Sequence, residues 1–338
     1  NFLLETEKSK VKLISTDLEM GMKHYIPAEV ESDGSITIPA RKFSDIVGSL
    51  TEDNDVDLAV DAGGRIQVRS GRSRFSLAGA PKSEYPVLPE FNPEGAFGLK
   101  ADVLFGMLKQ TIFAASSDET RYVLNGVFWA GAGGTLDLVA TDGRRLARAS
   151  RACLPPDREF RAIVPTKVLS ELARLLGSAE GDEGSAVKVA VTENQIAFQF
   201  GTTTLLSRLV EGSFPNYEQV IPSKRDVKIT VPTAQLMAIT KRASLCAADR
   251  GGAVRFTFAP RMLQVHASSQ NQEFDEEMPL DFQGPEFVTA FNPQFVLEGL
   301  KALGADKVQW SFTTPANPAL LESPEDEGYQ YVVMPMRS

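Results

Sequence analysis

Apolar residues recur at helical spacing in three segments, and these segments lie at nearly equal distances along the chain. Each opens with an apolar residue and a proline, which suits the first turn of a helix. Pro39 and Pro165 are 126 residues apart, and Pro165 and Pro293 are 128 apart. A period this long predicts three copies of one domain rather than a solenoid of short repeats. The residues at helical spacing are Phe43, Ile46, Val47 and Leu50; Leu169, Leu172, Leu175 and Leu176; and Val296, Leu297, Leu300 and Leu303.

Segments of alternating apolar and polar residues follow each helix, as expected for half-buried strands. Three unrelated amphipathic helices would not share such flanks, so the alternation favours repeated domains. The first two copies also end alike, in proline-rich stretches at 83–89 and 214–222 that are typical of linkers. The predicted strands are 56–60, 65–69 and 74–77; 187–191, 195–200 and 204–209; and 307–312, 318–321 and 329–334.

A second helix is predicted only in the later two copies, where residues 96–115 and 227–245 each combine a short strand with a helical pattern. The matching strand and helix of the first copy are expected before Asn1, so about 30 residues of that domain are expected to be missing. The first copy instead opens with predicted strands at 2–5, 10–15 and 19–25. The fold class is α+β, with antiparallel sheets and domains at 1–93, 94–222 and 223–338.

The composition is that of an ordinary globular protein of 338 residues, long enough for two or three domains. No apolar run is long enough to span a membrane, and nothing resembles a signal peptide. Cys153 and Cys246 give no disulfide framework, which fits a reducing cytoplasm. The net charge of −9 argues against a generic DNA-binding protein.

Motifs that would indicate catalysis or a bound cofactor do not occur in the sequence. There is no P-loop, no dinucleotide-binding glycine motif and no nucleophile elbow. Residues 131–134 are rich in glycine, but they join two predicted strands and suit a hairpin turn. His24 and His266 lie far apart in sequence, which gives a zinc site or catalytic triad little support. We therefore predict no catalytic site, no metal site and no cofactor.

Charge is distributed unevenly between the helices and the rest of the chain. Nine basic residues lie on the predicted helices and their first turns, against four acidic ones, so these segments carry +5 and the remainder carries −14. Such helices could offer phosphates a favourable surface, although lysine and arginine also favour helix surfaces in general. The basic residues are Arg41, Lys42, Lys100, Lys109, Lys167, Arg174, Lys241, Arg242 and Lys301, and the acidic ones are Asp45, Asp102, Glu171 and Glu298.

The acidic run of Glu273, Asp275, Glu276 and Glu277 has two interpretations. It could bind a cation. An alternating acidic strand is more often a solvated face or a charge-pairing interface, and we favour that interpretation.

Four motifs stand out against the repeated pattern. They are Arg121-Tyr122-x-Leu124-Asn125-Gly126, Ala140-Thr141-Asp142-Gly143-x-Arg145-Leu146-Ala147, Phe214-Pro215-x-Tyr217 and Tyr331-Val332-Val333-Met334-Pro335-Met336-Arg337. With the three strand-rich copies, they resemble the bacterial β sliding clamp, the processivity subunit of DNA polymerase III. The resemblance covers essentially the whole chain, and the last motif and the Thr-Asp-Gly segment are its most specific parts.

The resemblance implies a head-to-tail homodimeric ring of six similar subdomains. Helices would line a hole that encircles duplex DNA, and sheets would form the outer wall. The expected function is topological, with weak and sequence-independent phosphate contacts and no catalysis. The implied partners are double-stranded DNA, the DNA polymerase III α subunit and other polymerases, repair proteins, and an ATP-driven clamp loader.

The resemblance also implies three sets of site residues. A cleft for partner peptides would have an apolar floor and a rim of arginine and asparagine. Its residues would be Arg121, Tyr122, Leu124, Thr141, Gly143, Arg144, Arg145, Leu146, Pro215, Val220, Asn292, Phe295, Val332, Met334 and Met336, with both methionines on the last strand. The DNA-facing residues would be Arg41, Lys42, Lys109, Lys167, Arg174, Lys241, Arg242 and Lys301. The dimer interface would contain Arg72, Arg74, Phe75, Leu77, Ser244, Leu245, Glu273, Glu276 and Glu277, with Phe75 and Leu77 buried against the second chain.

Two departures from the family pattern matter. The absent first helix would leave the apolar side of the 39–50 helix exposed, and Arg144 stands where some members carry other polar residues. The alternative interpretation is a protein-interaction scaffold of clamp fold that does not encircle DNA. An enzyme with an unrecognised site ranks third.

Overall fold

The computed structural model describes residues 1–51, 54–178, 186–247 and 252–336, so Arg337 of the terminal motif lies outside the described residues. The strands are β1 (Phe2–Glu7), β2 (Lys10–Thr16), β3 (Met20–Pro27), β4 (Ser35–Ile38), β5 (Asp57–Val60), β6 (Arg65–Ser70), β7 (Ser73–Ala78), β8 (Phe97–Lys100), β9 (Gly126–Ala132), β10 (Thr135–Thr141), β11 (Arg145–Ala152), β12 (Phe160–Pro165), β13 (Ala186–Val191), β14 (Gln195–Phe200), β15 (Thr203–Arg208), β16 (Val227–Pro232), β17 (Val254–Ala259), β18 (Met262–Ser268), β19 (Glu273–Pro279), β20 (Phe287–Phe291), β21 (Lys307–Phe312), β22 (Ala319–Glu322) and β23 (Tyr329–Val333). The α-helices are α1 (Ala40–Gly48), α2 (Ala101–Thr111), α3 (Thr166–Ser178), α4 (Thr233–Ser244) and α5 (Pro293–Leu303). The described residues divide into two units, one of 1–100 with 186–209 and the other of 101–178 with 210–336.

The first unit is built on an antiparallel sheet of eight strands in the order β4-β1-β2-β3-β15-β14-β13-β8. Pairing of β3 with β15 places Leu205 opposite Met22, and so joins strands of the first and second sequence repeats in one sheet. A smaller sheet has the order β5-β6-β7. The core between these elements contains Phe2, Leu4, Ile36, Ile38, Ile66 and Val68.

Helix α1 is less buried than the other α-helices of the described chain. Phe43 and Ile46 pack against the core of the first unit, but both remain half-buried, and Val47 is exposed. No residue of α1 is fully buried, whereas each of α2 to α5 buries at least three. The apolar side of this helix is therefore only partly covered.

The second unit repeats the same scheme. Its eight-stranded antiparallel sheet has the order β12-β9-β10-β11-β23-β22-β21-β16, and a four-stranded sheet has the order β19-β18-β17-β20. Pairing of β11 with β23 joins the second and third sequence repeats, as β3 and β15 join the first and second. Each pairing forms what we call a joint between two sequence repeats. A Thr-Asp turn and a proline-rich linker lie at each joint.

Four helices of the second unit form a row in the order α3, α2, α5, α4, since α2 contacts both α3 and α5, and α5 contacts α4. Their buried residues follow the helical period, including Leu104 and Leu108 of α2 and Leu169 and Leu172 of α3. Helix α5 approaches β23 closely at Gly299, where any side chain would overlap the Tyr331 ring.

The structure confirms the predicted helices and strands with small shifts of their ends. It also confirms the hairpin turn at 131–134, where Gly133 and Gly134 have φ of 57° and 83°. The last strand ends at Val333, so Met334 and Met336 lie beyond it and the prediction that they share this strand was wrong. Cys153 and Cys246 are free thiols. Among the described residues, no helix has the length and apolar character needed to cross a membrane.

Candidate functional site

A cavity of about 130 Å³ lies above the joint of β11 and β23 in the second unit. Leu124, Leu146 and Val332 are buried and form its apolar floor. An apolar cavity of about 150 Å³ holds a benzene molecule, so this one can take an aliphatic or aromatic side chain. The lining residues are Leu124, Thr141, Gly143, Arg145, Leu146, Pro215, Asn216, Tyr217, Val220, Val332 and Met334.

The turn between β10 and β11 forms one side of the cavity, and its own side chains hold its shape. The Thr141 hydroxyl donates to the carbonyl of Arg145 at 2.6 Å and accepts from the Gly143 amide at 3.1 Å. Asp142 Oδ1 accepts from the amides of Arg144 and Arg145 at 2.9 and 3.0 Å. Gly143 has a φ of 85°, the left-handed conformation that glycine adopts most easily.

The opposite side is the linker after β15, whose aromatic side chains pack on Phe128 of β9. The rings of Phe128 and Phe214 stack with centroids 5.1 Å apart, and the Tyr217 ring lies 6.1 Å from that of Phe128. These rings pack against the buried Val139, Leu146, Leu320 and Val332. The linker is thus fixed by apolar contacts with the same strands that form the cavity floor.

Arg148 of β11 lies beside the Tyr217 ring of this linker. Its guanidinium binds Asp137 through both carboxylate oxygens at 3.0 and 3.1 Å, and it donates to Gln330 Oε1 at 3.3 Å. The guanidinium also lies 6.0 Å from the centre of the Tyr217 ring. Burial, with the charge of Asp137 nearby, raises the pKa of Tyr217, which remains a neutral phenol at the cavity.

Arg145 connects the turn to segments that lie far from it in sequence. Only 10% of its side chain is exposed. Its guanidinium pairs with Glu298 of α5 and with Asp142 Oδ2 at 3.1 Å, and it donates to the carbonyl of Phe113 at 2.7 Å. The rings of Phe113 and Phe295 lie 5.3 and 4.5 Å from the guanidinium carbon.

Tyr331 completes this network from β23. Its hydroxyl donates to the carbonyl of Phe295 at 2.8 Å, and burial raises its pKa, so it stays a hydrogen-bond donor. Arg145 and Tyr331 together tie the turn, α5 and the last strand to one another. The guanidinium of Arg145 is therefore a buried connection between these segments, and the residue also lines the cavity.

Nine of the fifteen residues predicted for the cleft line one cavity. They are Leu124, Thr141, Gly143, Arg145, Leu146, Pro215, Val220, Val332 and Met334. They come from four separate stretches of sequence. That convergence is the arrangement that a partner-binding cleft requires.

The other six predicted cleft residues, Arg121, Tyr122, Arg144, Asn292, Phe295 and Met336, do not line this cavity. Arg121 donates to the carbonyl of Asp142 at 2.9 Å and supports the turn from outside. Asn292 caps α5 by accepting from the Gln294 amide at 2.9 Å, and Phe295 packs under Arg145. Tyr122 is exposed, and the Met336 amide donates to the carbonyl of Ala290 at 2.8 Å.

Two lining residues were missed at the sequence level, Asn216 and Tyr217. Both belong to the Phe-Pro-x-Tyr motif that the resemblance rests on. The motif itself therefore pointed to them.

All eight cations predicted to face DNA are exposed. In the second unit they lie along the row of helices: Lys109 on α2, Lys167 and Arg174 on α3, Lys241 and Arg242 on α4, and Lys301 on α5. Arg174 pairs with Glu171 at 2.6 Å, and Arg242 pairs with Glu276 at 2.5 Å.

The residues predicted for a dimer interface lie on two sheet edges and at the end of α4. Strand β7 is an edge of the first unit's small sheet, and β19 is an edge of the second unit's four-stranded sheet. Phe75 and Leu77 of β7 pack against the core of their own unit. They are thus only partly available to a second chain, in contrast to Leu245, which is 73% exposed.

Potential metal ligands meet at the acidic edge strand. His266 Nδ1 lies 3.0 Å from Asp275 Oδ1, and Glu273 brings its carboxylate to the same place, with all three ligand atoms within 4.8 Å of one another. The two carboxylates are solvent-exposed. Exposed acidic groups commonly gather in this way without a metal, so the cluster alone supports no metal site.

Three family descriptions match the chain in order. They are DNA polymerase III beta subunit, N-terminal domain, at residues 1–89; central domain, at 98–216; and C-terminal domain, at 218–337. The chain is 33% identical over 339 residues to the Beta sliding clamp of Vibrio cholerae, and the match covers 100% of this chain and 91% of that protein. The match to the Beta sliding clamp of Pseudomonas aeruginosa is also 33% identical, with the same coverage of both proteins. The crystal structure of the DNA polymerase III subunit beta from Pseudomonas aeruginosa matches with a TM-score of 0.94 and 32% identity, covering 100% of this chain and 92% of that one.

The buried network of Arg145 leads to a prediction about stability. Replacing Arg145 with methionine removes the partner of Asp142 and Glu298 and leaves the carbonyl of Phe113 without its donor. We expect Arg145→Met to lower the free energy of unfolding by about 3 kcal/mol, the lower end for breaking a buried ion pair, because Glu298 is partly exposed.

The matched control is Arg174→Met, which breaks an ion pair whose arginine is 62% exposed. That change should cost about 0–1 kcal/mol. Urea denaturation of both variants measures the difference. Equal losses in the two variants would show that Arg145 is not the connection described above.

Proposed function

We infer the function of this chain from its family, since the chain belongs to the bacterial β sliding clamps, the β subunits of DNA polymerase III. It is a processivity factor that encircles DNA and catalyses no reaction itself. The observation that carries this conclusion is the match of all three clamp domains, in order, over nearly the whole chain. We place the domain boundaries at 1–93, 94–222 and 223–338, within the linkers.

The row of helices is the surface that we propose to face DNA. Six exposed cations lie on α2 to α5, against the acidic residues Asp102, Glu171 and Glu298. The whole chain carries a net charge of −9, so a basic helical surface concentrates its attraction for phosphates in one place. No sequence-reading contact is needed, because a closed ring stays on DNA without one.

Ring closure is proposed to come from two identical contacts between the edge strand β7 of one chain and the edge strand β19 of another. Both strands have unpaired backbone groups on one side, which is a natural template for pairing. Arg72 just before β7 and Arg74 on β7 are exposed, and β19 carries Glu273, Glu276 and Glu277. The opposite charges of the two edges favour a head-to-tail contact, which two-fold symmetry closes into a ring.

The cavity above β11 and β23 is proposed to bind short, extended peptides of partner proteins. Its apolar floor suits a leucine or phenylalanine anchor, and Met334 at its edge has a side chain that adapts to different partners. We propose as partners the DNA polymerase III α subunit, other polymerases and the clamp loader. The place of action would be the bacterial cytoplasm, where DNA is replicated.

A charge-reversal experiment tests the DNA-facing helices. Replacing Lys109, Lys241 and Lys301 with glutamate should weaken loading onto circular duplex DNA of any sequence, and should reduce the salt dependence of DNA binding by a slope of about 2–3. The control replaces Lys188, Lys228 and Lys307, which are also exposed but lie on strands. A sequence-dependent loss, or equal losses in the two variants, would contradict the proposal. Release of the wild type on linearising the DNA would distinguish an encircling ring from a scaffold.

Leu245 provides a test of ring closure that leaves the core untouched. Because its side chain is 73% exposed, Leu245→Glu should convert the dimer to monomers at micromolar concentration without loss of folding. Val288→Glu is the control. Val288 is also exposed, but it lies on β20, whereas the proposed contact uses β19 at the opposite edge of that four-stranded sheet. Sedimentation velocity gives the masses. A Leu245→Glu protein that remained dimeric would exclude this contact.

Peptide binding tests the cleft. The pentapeptide Gln-Leu-Ala-Leu-Phe should bind the wild type, and Met334→Ala should weaken binding by about 1–3 kcal/mol, the range for an apolar anchor contact. Met262→Ala is the control, because Met262 is half-buried on β18 and does not line the cavity. Calorimetry measures both affinities. Unchanged binding by the Met334 variant would show that the peptide docks elsewhere.

A further inference from the structure

The joint between the first two repeats, in the first unit, has the same turn as the cleft. Thr16 donates to the carbonyl of Met20 at 2.7 Å and accepts from the Leu18 amide at 2.9 Å. Asp17 Oδ1 accepts from the amides of Glu19 and Met20 at 3.1 and 2.8 Å. These are the four hydrogen bonds of the Thr141 turn, and Leu18 has a φ of 78° where Gly143 has 85°.

The strands below the two turns also correspond, but their side chains differ in size. At the cleft, Val332 lies opposite Leu146 on one side and Leu320 on the other. In the first unit, Leu206 lies opposite Gly21 and Ala197 at the same register. Leu146 of the cleft floor and the neighbouring buried Leu320 are thus replaced by a glycine and an alanine, which leaves room above the strands of the first unit.

The chain's own linker occupies that room. Tyr85-Pro86-x-Leu88 corresponds to the Phe-Pro-x-Tyr motif of the cleft. The Leu88 side chain rests on Gly21 so closely that a Cβ there would lie 2.6 Å from Leu88 Cδ1. Phe91 packs against the buried Ala190, Ala197 and Leu206.

Polar contacts fasten the linker of the first unit on both sides of Leu88. Lys23, whose side chain is only 5% exposed, donates to the carbonyl of Pro89 at 2.9 Å and to Glu90 Oε1 at 2.8 Å. The Tyr85 hydroxyl donates to the carbonyl of Ile14 at 3.0 Å. Hydrogen bonding from Lys23 lowers the pKa of Glu90, so this carboxylate is charged at neutral pH.

The equivalent cation at the cleft makes different contacts. Lys23 pairs with Ile14 across β2 and β3, and Arg148 pairs with Val139 at the same register across β10 and β11. Arg148 binds Asp137 and Gln330, which belong to the strands. The cation thus holds the linker down at the first joint and holds the strands together at the second.

We propose that the first unit contains a second peptide groove of the same design as the cleft, kept filled by the chain's own segment 85–91 with Leu88 as its anchor. A leucine of an extended peptide would take the place of Leu88 if this segment were displaced. The proposal rests on the proposed function of the cleft, because the ligand class is taken from it.

Calorimetry measures how many molecules of the pentapeptide Gln-Leu-Ala-Leu-Phe bind to each chain. Leu88→Ala should bind one more peptide per chain than the wild type. Lys23→Met combined with Leu88→Ala, which also removes the polar anchor, should bind the extra peptide more tightly. Val87→Ala is the control, because Val87 is 95% exposed in the same segment and should leave the number unchanged.

Adding Met334→Ala to the Leu88→Ala protein separates the two sites, since this change should weaken binding at the cleft and leave the affinity of the groove in the first unit unchanged. A wild type that binds no peptide, beside a Leu88 variant that binds one, would refute the cleft and support this groove. If both Leu88 variants retain the circular dichroism of the wild type and bind no more peptide than it does, the groove is refuted.

Discussion

Backbone pairing of β11 with β23, and of β3 with β15, is the interaction on which both joints depend. Each ladder continues a sheet from one sequence repeat into the next, so the strands at the joint have no free edge. A ladder uses main-chain groups, which every residue except proline supplies, and so it tolerates changes of side chain. The cleft follows from this constraint, because the pairing sets Leu146 opposite Val332 and brings the turn and the linker to either side of them.

Charged side chains give the two joints different properties. Arg145 is buried beside Asp142 and Glu298, and its burial is tolerable only because every side of the guanidinium has an acceptor or an aromatic ring. Lys23 is equally buried but meets the linker instead. Both act as connections between segments far apart in sequence, so neither joint can loosen without leaving a buried charge unpaired.

The regular elements were predictable because their apolar period extends over several turns or strand residues, as in α3 and α5. Contacts between distant segments were not. The burial of Arg145 depends on Glu298, which is 153 residues away, and on a main-chain carbonyl at Phe113. Phe75 and Leu77 alternate correctly for a strand, yet alternation does not say whether the apolar side faces its own core or another chain. Most of the cleft residues could be predicted from the motifs. Asn292 and Phe295 were predicted with them, but Asn292 caps α5 and Phe295 packs under Arg145.

Leu18 changes how the glycine of the Thr-Asp-Gly segment should be understood. A residue with a side chain takes the same left-handed conformation there, at a cost of about 1–2 kcal/mol. The threonine and aspartate side chains are therefore sufficient to shape this bend. What Gly143 supplies is space, since a Cβ at this position would lie 3.0 Å from Nη1 of Arg121, which supports the turn from outside. Within a duplicated scaffold, glycine therefore stands in the copy of the turn that an arginine contacts from outside.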